Sequence, residues 1–220
     1  MILAAGRGER LRPLTESTPK PLVEVAGQTL LGRHLRRLAE AGFARIVINV
    51  SHLAEQITAR FGDGSSHGVR IEWSREDAPL ETAGGIAHAR ALLGPEPFLL
   101  VNADIWCDYP FSKLRGFDLD SRLSHLVLVP NPPQHPAGDF SLANSIVGNL
   151  PAPRYTYAGI AVISPQLVAG IAAGQKAQLA PLWRAAAERG EVTGETYDGL
   201  WSDVGTPDRL SALEARLKEA

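Results

Sequence analysis

The sequence has few of the features of secreted, membrane or nucleic-acid-binding proteins. Cys107 is its single cysteine, which excludes an intramolecular disulfide. The formal net charge of the 220 residues is −2, so no overall positive field attracts nucleic acid or anionic lipid. No uninterrupted apolar run approaches the ~20 residues of a membrane-spanning helix. These absences predict a cytoplasmic protein that binds neither nucleic acid nor membranes.

The sequence does contain alternating strand and helix patterns, and hydrophobic residues make up 45% of it. Short apolar runs bounded by Gly, Pro, Asn or Asp predict strands at 1–5, 45–50, 69–74, 97–101, 125–130 and 157–163. Helical periodicity predicts helices at 28–41, 52–61, 84–93 and 178–189. A final helix is predicted after Thr206, with Pro207 in its first turn and an apolar stripe of Leu210, Leu213 and Leu217.

This alternation predicts an α/β fold with three layers, Rossmann-like, around a mostly parallel mixed sheet. We expect one domain over residues 1–220, because that length suits a single α/β domain. The proline-rich segment 131–156 breaks the pattern, and we interpret it as an excursion from the sheet rather than a linker. A ligand is expected at the carboxyl ends of the strands.

The glycine-rich opening is the strongest local motif. A predicted strand runs into Gly6-x-Gly8, where missing side chains let backbone N–H groups approach a phosphate chain. Leu11 replaces the third glycine of a dinucleotide fingerprint, and a P-loop would need a Gly-Lys pair, which the chain lacks. Gly-x-Gly alone is equally typical of an ordinary strand-turn loop. With the cations Arg10 and Lys20 nearby, the segment predicts a polyphosphate site.

The opening LAAGRGERL, followed by PKPL, closely resembles the signature of sugar-1-phosphate nucleotidyltransferases. The resemblance continues through PLETAGGI at 79–86, VNADIW at 101–106, GDF at 138–140, YAGIAVIS at 157–164 and WSDVGTP at 201–207. It implies transfer of a nucleotidyl group from a nucleoside triphosphate to a sugar 1-phosphate, with release of pyrophosphate. Within the family, the motifs are most similar to small bacterial enzymes that uridylylate N-acetylmuramate 1-phosphate in cell-wall recycling, which implies UTP. We do not expect the left-handed β-helix domain of mannose-1-phosphate guanylyltransferases.

The resemblance also implies a set of site residues. Arg10 would support the departing pyrophosphate, and Lys20 would bridge the sugar phosphate and the α-phosphate as catalytic residues. Asp104 and Asp203 would bind Mg²⁺. The implied nucleotide-binding residues are Leu3, Ala4, Ala5, Gly6, Gly8, Glu9, Arg10, Lys20, Leu80, Gly84, Gly85 and Asn102. The implied sugar-binding residues are Asn102, Asp139, Gly159 and Trp201.

Several of these positions are equally typical of purely structural roles, and some depart from the family pattern. An aspartate at a strand end is often a turn former, Trp201 could fill core, and the glycine pair Gly84–Gly85 could simply begin a helix. Ala103 and Glu81 replace glycines common in the family, and Glu9 stands where many relatives have threonine. His135 or Arg154 could contact the lactyl carboxylate of muramate. If so, His135→Ala or Arg154→Ala should change the preference for muramate over glucosamine phosphates.

Other functions remain open on the sequence. A guanylyl- or thymidylyltransferase acting on another hexose 1-phosphate, such as mannose 1-phosphate, would share these motifs. A catalytically silent nucleotide-sugar sensor is the alternative from a different class, although such a protein would be expected to lose Lys20, Asp104 or Asp203. A nicotinamide dehydrogenase is disfavoured by Leu11. The sequence leaves the oligomeric state open and is compatible with a monomer.

Overall fold

The computed structural model describes residues 1–151 and 153–219; Ala152 and Ala220 lie outside the described residues. The strands, β1 to β13 in chain order, are Ile2–Leu3, Glu24–Val25, Gln28–Thr29, Arg45–Val50, Arg70–Arg75, Phe98–Asn102, Ile105–Cys107, Ser124–Val129, Phe140–Ala143, Ile146–Gly148, Arg154–Ile163, Val192–Thr196 and Trp201–Asp203. The α-helices, α1 to α7, are Leu14–Ser17, Leu30–Glu40, Ala54–Phe61, Glu81–His88, Arg90–Leu93, Leu179–Glu188 and Pro207–Lys218. Short 3-10 helices span Glu9–Leu11, Lys20–Leu22, Ser65–His67, Phe111–Leu114 and Pro165–Val168.

A large mixed sheet forms the centre of the fold, in the order β5-β4-β1-β6-β11-β8-β12-β10-β9. The four strands from β5 to β6 run parallel to one another. The other half of the sheet is antiparallel, except for the parallel pair β8–β12. The α/β class is therefore confirmed, while the parallel pairing is concentrated in the half that contains the chain's first strand.

Helices cover both faces of the sheet, because the strands place apolar side chains alternately on each. On β4, Ile46 and Ile48 pack into the core that includes α2 and α3, whereas Val47 packs into the core that includes α4 and α6. A third cluster lies under α7, where Leu213 is buried against Trp106. The sheet and the helices on its two faces form the three layers predicted from the sequence.

The segment 131–156 follows the sheet more closely than expected. Residues 131–139 lie outside helices and strands, but β9, β10 and the start of β11 belong to the sheet. Phe140 and Val147 are buried, and the ring of Phe140 packs edge-on against Trp183 of α6. The expectation of an excursion was therefore wrong for these strands, because a few buried positions hold them on α6.

The fold places a cleft at the carboxyl ends of β1 and β6. From β1 the chain crosses to β4 and β5 on one side and to β6 on the other, so the direction of winding changes between β1 and β6. Such switch points are where open α/β sheets bind ligands. Among the described helices, none combines the length and the apolar character needed to cross a membrane.

Candidate active site

The cleft at these strand ends has a volume of about 880 Å³, within the range of small-molecule sites. The residues predicted from the sequence that line it are Leu3, Ala4, Ala5, Gly6, Gly8, Glu9, Arg10, Lys20, Leu80, Asn102 and Asp104. Other lining residues were not predicted as site residues, and they include Arg7, Asn49, Glu76, Glu81, Lys176 and Gly205. The fold therefore brings together the glycine-rich opening, the start of α4 and the end of β6.

The two glycines of the opening loop have different roles in its geometry. Gly8 has a φ of 66°, a backbone conformation that favours glycine, and its carbonyl accepts a 2.7 Å hydrogen bond from the Thr15 hydroxyl. A Cβ on Gly8 would also lie 3.2 Å from Cβ of Lys20. A Cβ on Gly6 would meet no atom within 4 Å. Gly8 thus allows the loop to pack on Lys20, while Gly6 leaves the cleft open.

Lys20 forms an ion pair with Asp104 inside the cleft. Nζ of Lys20 lies 2.6 Å from Oδ2 of Asp104, and the lysine side chain is only 11% exposed. Lys20 opens a 3-10 helix between Pro19 and Pro21, which restricts the backbone on both sides of it. The ammonium group is therefore held at a fixed place beside the end of β6.

The antiparallel pair β7–β13 brings Asp203 beside Asp104. Asp203 lies opposite Ile105 in this ladder, and the Val204 N–H donates to the Asp104 carbonyl at 2.8 Å. The side chains of Asp104 and Asp203 are 33% and 27% exposed. Sequence reasoning proposed both residues but could not show that the backbone brings them together; Asp104 lines the cleft, whereas Asp203 lies just outside its lining.

The donor chemistry at these aspartates fits a hard divalent cation. Both side chains offer carboxylate oxygens and remain partly open to solvent. Across residues 1–151 and 153–219, no three His, Cys, Asp or Glu side chains converge as a complete metal cage. A cation held by Asp104 and Asp203 would therefore take its other ligands from water or phosphate, as Mg²⁺ commonly does.

Two partners of Asp203 were missed by sequence reasoning. Nε2 of Gln134 donates to Oδ1 of Asp203 at 3.0 Å, and a guanidinium N–H of Arg209 donates to Oδ2. Gln134 lies in the irregular segment 131–139, where no sequence pattern marked it. Arg209 lies in the first turn of α7, directly after the WSDVGTP motif, which could have drawn attention to it.

A buried polar network connects the glycine-rich loop with the start of α4. The Ala4 N–H donates to Oδ1 of Asn49 at 2.8 Å, and Nδ2 of Asn49 donates to Oε1 of Glu76 at 2.7 Å. The second oxygen of Glu76 accepts the Leu80 N–H at 3.0 Å. Asn49 and Glu76 are 3% and 6% exposed. Asn49 lies within β4 and Glu76 directly follows β5, so strand periodicity alone gave no signal for them.

Gly84 and Gly85 lie behind the cleft wall rather than on it. A Cβ on Gly84 would collide with the carbonyl oxygen of Gln175, and one on Gly85 would lie 2.7 Å from Nδ2 of Asn49. The Gly84 N–H donates to the Ala177 carbonyl at 3.0 Å. These glycines therefore allow α4 to pack closely on the segments that form the wall.

Asp139 lies outside the cleft lining, and the carboxylate and the carbonyl oxygen of this residue are engaged within the protein. The Tyr157 N–H donates to Oδ2 at 2.8 Å, and Nε2 of His135 lies 3.0 Å from Oδ1. The guanidinium of Arg154 donates to the Asp139 carbonyl. These contacts attach the segment 131–139 to β11, and any contact of His135 or Arg154 with a lactyl carboxylate stays a prediction.

Gly159 and Trp201 support the cleft from behind. Gly159 has a φ of 78°, and a Cβ there would lie 3.1 Å from Cβ of Asn102, which does line the cleft. Nε1 of Trp201 donates to the Ala158 carbonyl at 2.8 Å, and its ring packs partly against the core. Of the sugar-binding set, Asn102 alone lines the cleft within the described residues.

Comparison with known proteins identifies the family. The Nucleotidyl transferase family matches residues 1–143. The chain belongs to this family. It is 49% identical over 224 residues to the N-acetylmuramate alpha-1-phosphate uridylyltransferase of Neisseria meningitidis, covering 98% of this chain and 96% of that protein. The protein is therefore an enzyme of the nucleotidyltransferase type.

The chain is also similar, at lower sequence identity, to other sugar-phosphate nucleotidyltransferases. The N-acetylmuramate alpha-1-phosphate uridylyltransferase of Caulobacter vibrioides is 37% identical, covering 100% of this chain and 97% of its own. The mannose-1-phosphate guanylyltransferase catalytic subunit beta of Drosophila pseudoobscura pseudoobscura is 33% identical, and the match covers 94% of this chain but 59% of that protein.

Solved structures share the fold of this nucleotidyltransferase. A proposed glucose-1-phosphate thymidylyltransferase from Bacillus anthracis, in complex with sucrose, superposes with a TM-score of 0.87 at 18% identity, covering 100% of this chain and 94% of that one. HddC from Yersinia pseudotuberculosis, complexed with GMP-PN, gives 0.77 at 19% identity, covering 98% and 97%. Members of the family generally use divalent metal ions.

Proposed function

We propose that this nucleotidyltransferase transfers the uridylyl group of UTP to N-acetylmuramate 1-phosphate, producing a UDP-sugar and pyrophosphate in cell-wall recycling. The observation that carries the proposal is the cleft in which Lys20 pairs with Asp104 next to the glycine-rich loop. The choice of UTP and N-acetylmuramate 1-phosphate rests on the relatives from Neisseria meningitidis and Caulobacter vibrioides. Residues 1–220 would act as one domain in the cytoplasm, where nucleoside triphosphates are made.

The reaction needs charge neutralisation more than it needs a general base. A phosphate monoester has a second pKa of about 6, so the sugar phosphate is already largely a dianion at neutral pH. The obstacle is that this anion must attack another anion, the α-phosphate. Positioning and electrostatic stabilisation therefore carry most of the catalysis. Burial raises the pKa of the Cys107 thiol, which fits a reaction that uses no nucleophile from the protein.

The residues of the opening loop would bind the triphosphate. Backbone N–H groups from Ala5 to Arg10 would contact phosphate oxygens, with Gly6 leaving room for them. Arg10 would neutralise the departing pyrophosphate. Lys20 would exchange its contact with Asp104 for oxygens of the sugar phosphate and the α-phosphate, and so hold the two reacting groups together.

Asp104 and Asp203 would hold Mg²⁺. When bound, such an ion neutralises phosphate oxygens and helps to orient an in-line displacement. The β7–β13 ladder fixes the relative position of these two aspartates, so they do not have to be assembled when substrate arrives. Asn102, supported by Gly159, would contact the sugar, and Leu80 would contact the base. Asp139, Trp201, Gly84 and Gly85 would act by supporting these surfaces.

The test is pyrophosphate release by the purified protein with Mg²⁺ across a grid of nucleoside triphosphates and sugar 1-phosphates. We expect release with UTP and N-acetylmuramate 1-phosphate. Release only with GTP and mannose 1-phosphate would retain the mechanism and reject the substrate. Nucleotide binding without release in any combination would instead identify a nucleotide-sugar sensor.

A further inference from the structure

Each aspartate of the site is paired with a different cation of the protein. Asp104 contacts Lys20, and Asp203 contacts Arg209. Lys20 already has a proposed role at the phosphates, whereas Arg209 has none. Arg209 is partly buried, with 22% of its side chain exposed, so the first turn of α7 holds its guanidinium at a defined place.

The surroundings of Gly205 show that Arg209 lies at the edge of the cleft, although it is not one of the lining residues. A Cβ built on Gly205 would lie 2.7 Å from Nη1 of Arg209, 3.3 Å from Oδ2 of Asp203 and 3.5 Å from Nη2 of Arg10. Gly205 itself lines the cleft. The guanidinium groups of Arg10 and Arg209 therefore lie around the same point beside Gly205, and the Asp203 carboxylate lies next to both.

This arrangement leaves positive charge in excess. Two guanidinium groups and one carboxylate converge there, and a divalent cation bound by Asp203 would compete with Arg209 for the same oxygen. Once displaced, a guanidinium beside a phosphate chain is a strong bidentate partner for phosphate oxygens.

We propose that Arg209 is a phosphate-binding residue, and that it stays paired with Asp203 until a metal ion and a nucleotide bind. In the free protein, the guanidinium neutralises the Asp203 carboxylate. When a divalent cation occupies Asp203, Arg209 moves to the phosphate group that Arg10 also contacts, at the pyrophosphate end of the nucleotide. This inference rests on the proposed function, because it needs Asp203 as a metal ligand and a nucleotide in the cleft.

The experiment compares Arg209→Ala with Arg216→Ala, which removes the same charge from an exposed position on the same helix. Mn²⁺ binding to the free protein is measured by electron paramagnetic resonance, and magnesium pyrophosphate binding by calorimetry. For Arg209→Ala we expect Mn²⁺ affinity to rise about threefold or more, because the competing cation is gone. Pyrophosphate affinity should fall roughly tenfold or more, because a charge-assisted contact is lost. Arg216→Ala should match the wild type in both.

Two outcomes would overturn the proposal. Unchanged pyrophosphate affinity in Arg209→Ala would show that Arg209 does not bind phosphate. Unchanged or weaker Mn²⁺ binding would show that Arg209 does not compete for Asp203. Arg209→Lys, which keeps the charge without the planar fork, is the second variant and should recover part of the pyrophosphate affinity. Both measurements are independent of the sugar and the base, so a silent substrate grid would reject the proposed function without deciding the role of Arg209.

Discussion

At the scale of single residues, Lys20 shows how local geometry prepares a side chain for chemistry. Pro19 and Pro21 flank it, the left-handed Gly8 packs against its Cβ, and Asp104 holds its ammonium group. A flexible side chain is thereby ordered before substrate binds, which reduces the reorganisation required in the transition state.

We expect Lys20→Ala to lower turnover by ~10²–10³, because one preorganised cation at the reacting phosphates is lost. Asp104 is 33% exposed, so water can solvate the carboxylate left behind and the fold should be retained. The measurement is pyrophosphate release with UTP and N-acetylmuramate 1-phosphate, alongside a thermal melt. Lys113→Ala, at an exposed position outside the cleft lining, is the control. Near-normal turnover in Lys20→Ala would remove Lys20 from the mechanism.

At the scale of elements, α4 begins with a strained residue, Glu81, at a position where the sequence departs from the family pattern. Glu81 stands where the resemblance leads us to expect glycine, and its φ is 62°, in the left-handed region. A side chain there costs about 1–2 kcal/mol, because Cβ approaches the following carbonyl oxygen. The only ion-pair partner seen for Glu81 among the described residues is Lys176, at 3.7 Å and well exposed, which offsets little of that cost.

We therefore expect Glu81→Gly to raise the free energy of unfolding by about 0.5–1 kcal/mol, after allowing for the greater flexibility of unfolded glycine. Urea denaturation should show a higher midpoint with an unchanged slope. Glu81→Ala is the matched control, because it removes the carboxylate but keeps Cβ and hence the strain. Equal stabilisation by both variants would mean that the carboxylate, not the backbone, is the cause.

Elements also show what could be predicted from the sequence. Most of the apolar strands and amphipathic helices were predicted close to their observed bounds, because each one carries its own periodic signal. The exceptions are the helix predicted at 84–93, which is two helices, α4 and α5, and the strand predicted at 1–5, which is only Ile2–Leu3. β7 and β13 are three residues each and have no such signal, yet their pairing is what places Asp203 beside Asp104. The motif residues themselves were predicted by resemblance. Their partners Gln134, Asn49 and Glu76 were not, because those contacts exist only once distant segments have packed.

At the scale of the whole molecule, the helix α2 shows how packing onto the sheet affects stability. His34 on α2 is 2% exposed, and its Nε2 has no hydrogen-bond partner among the residues that the structure describes. Burial, reinforced by the nearby charge of Arg33, lowers the pKa of His34 to about 4. Burial also lowers the pKa of His125, on β8 in the antiparallel half of the sheet. Unfolding exposes both imidazoles to protonation.

The sign of the resulting pH dependence follows from proton binding. Between pH 6.5 and about 4, the unfolded chain binds a proton at His34 that the folded protein does not, so stability is lost as the pH falls through that window. The shift corresponds to about 3 kcal/mol of unfolding free energy across it.

We expect His34→Leu, which fills the site with an apolar side chain, to reduce the loss of stability between pH 6.5 and 4 and to leave the part that His125 contributes. His88→Gln, at an exposed position, should leave that dependence unchanged. Urea midpoints at a series of pH values are the measurement. If His34→Leu lost stability on acidification as steeply as the wild type, the packing of α2 on the sheet would not be the source of the acid sensitivity, and His125 would be the next position to test.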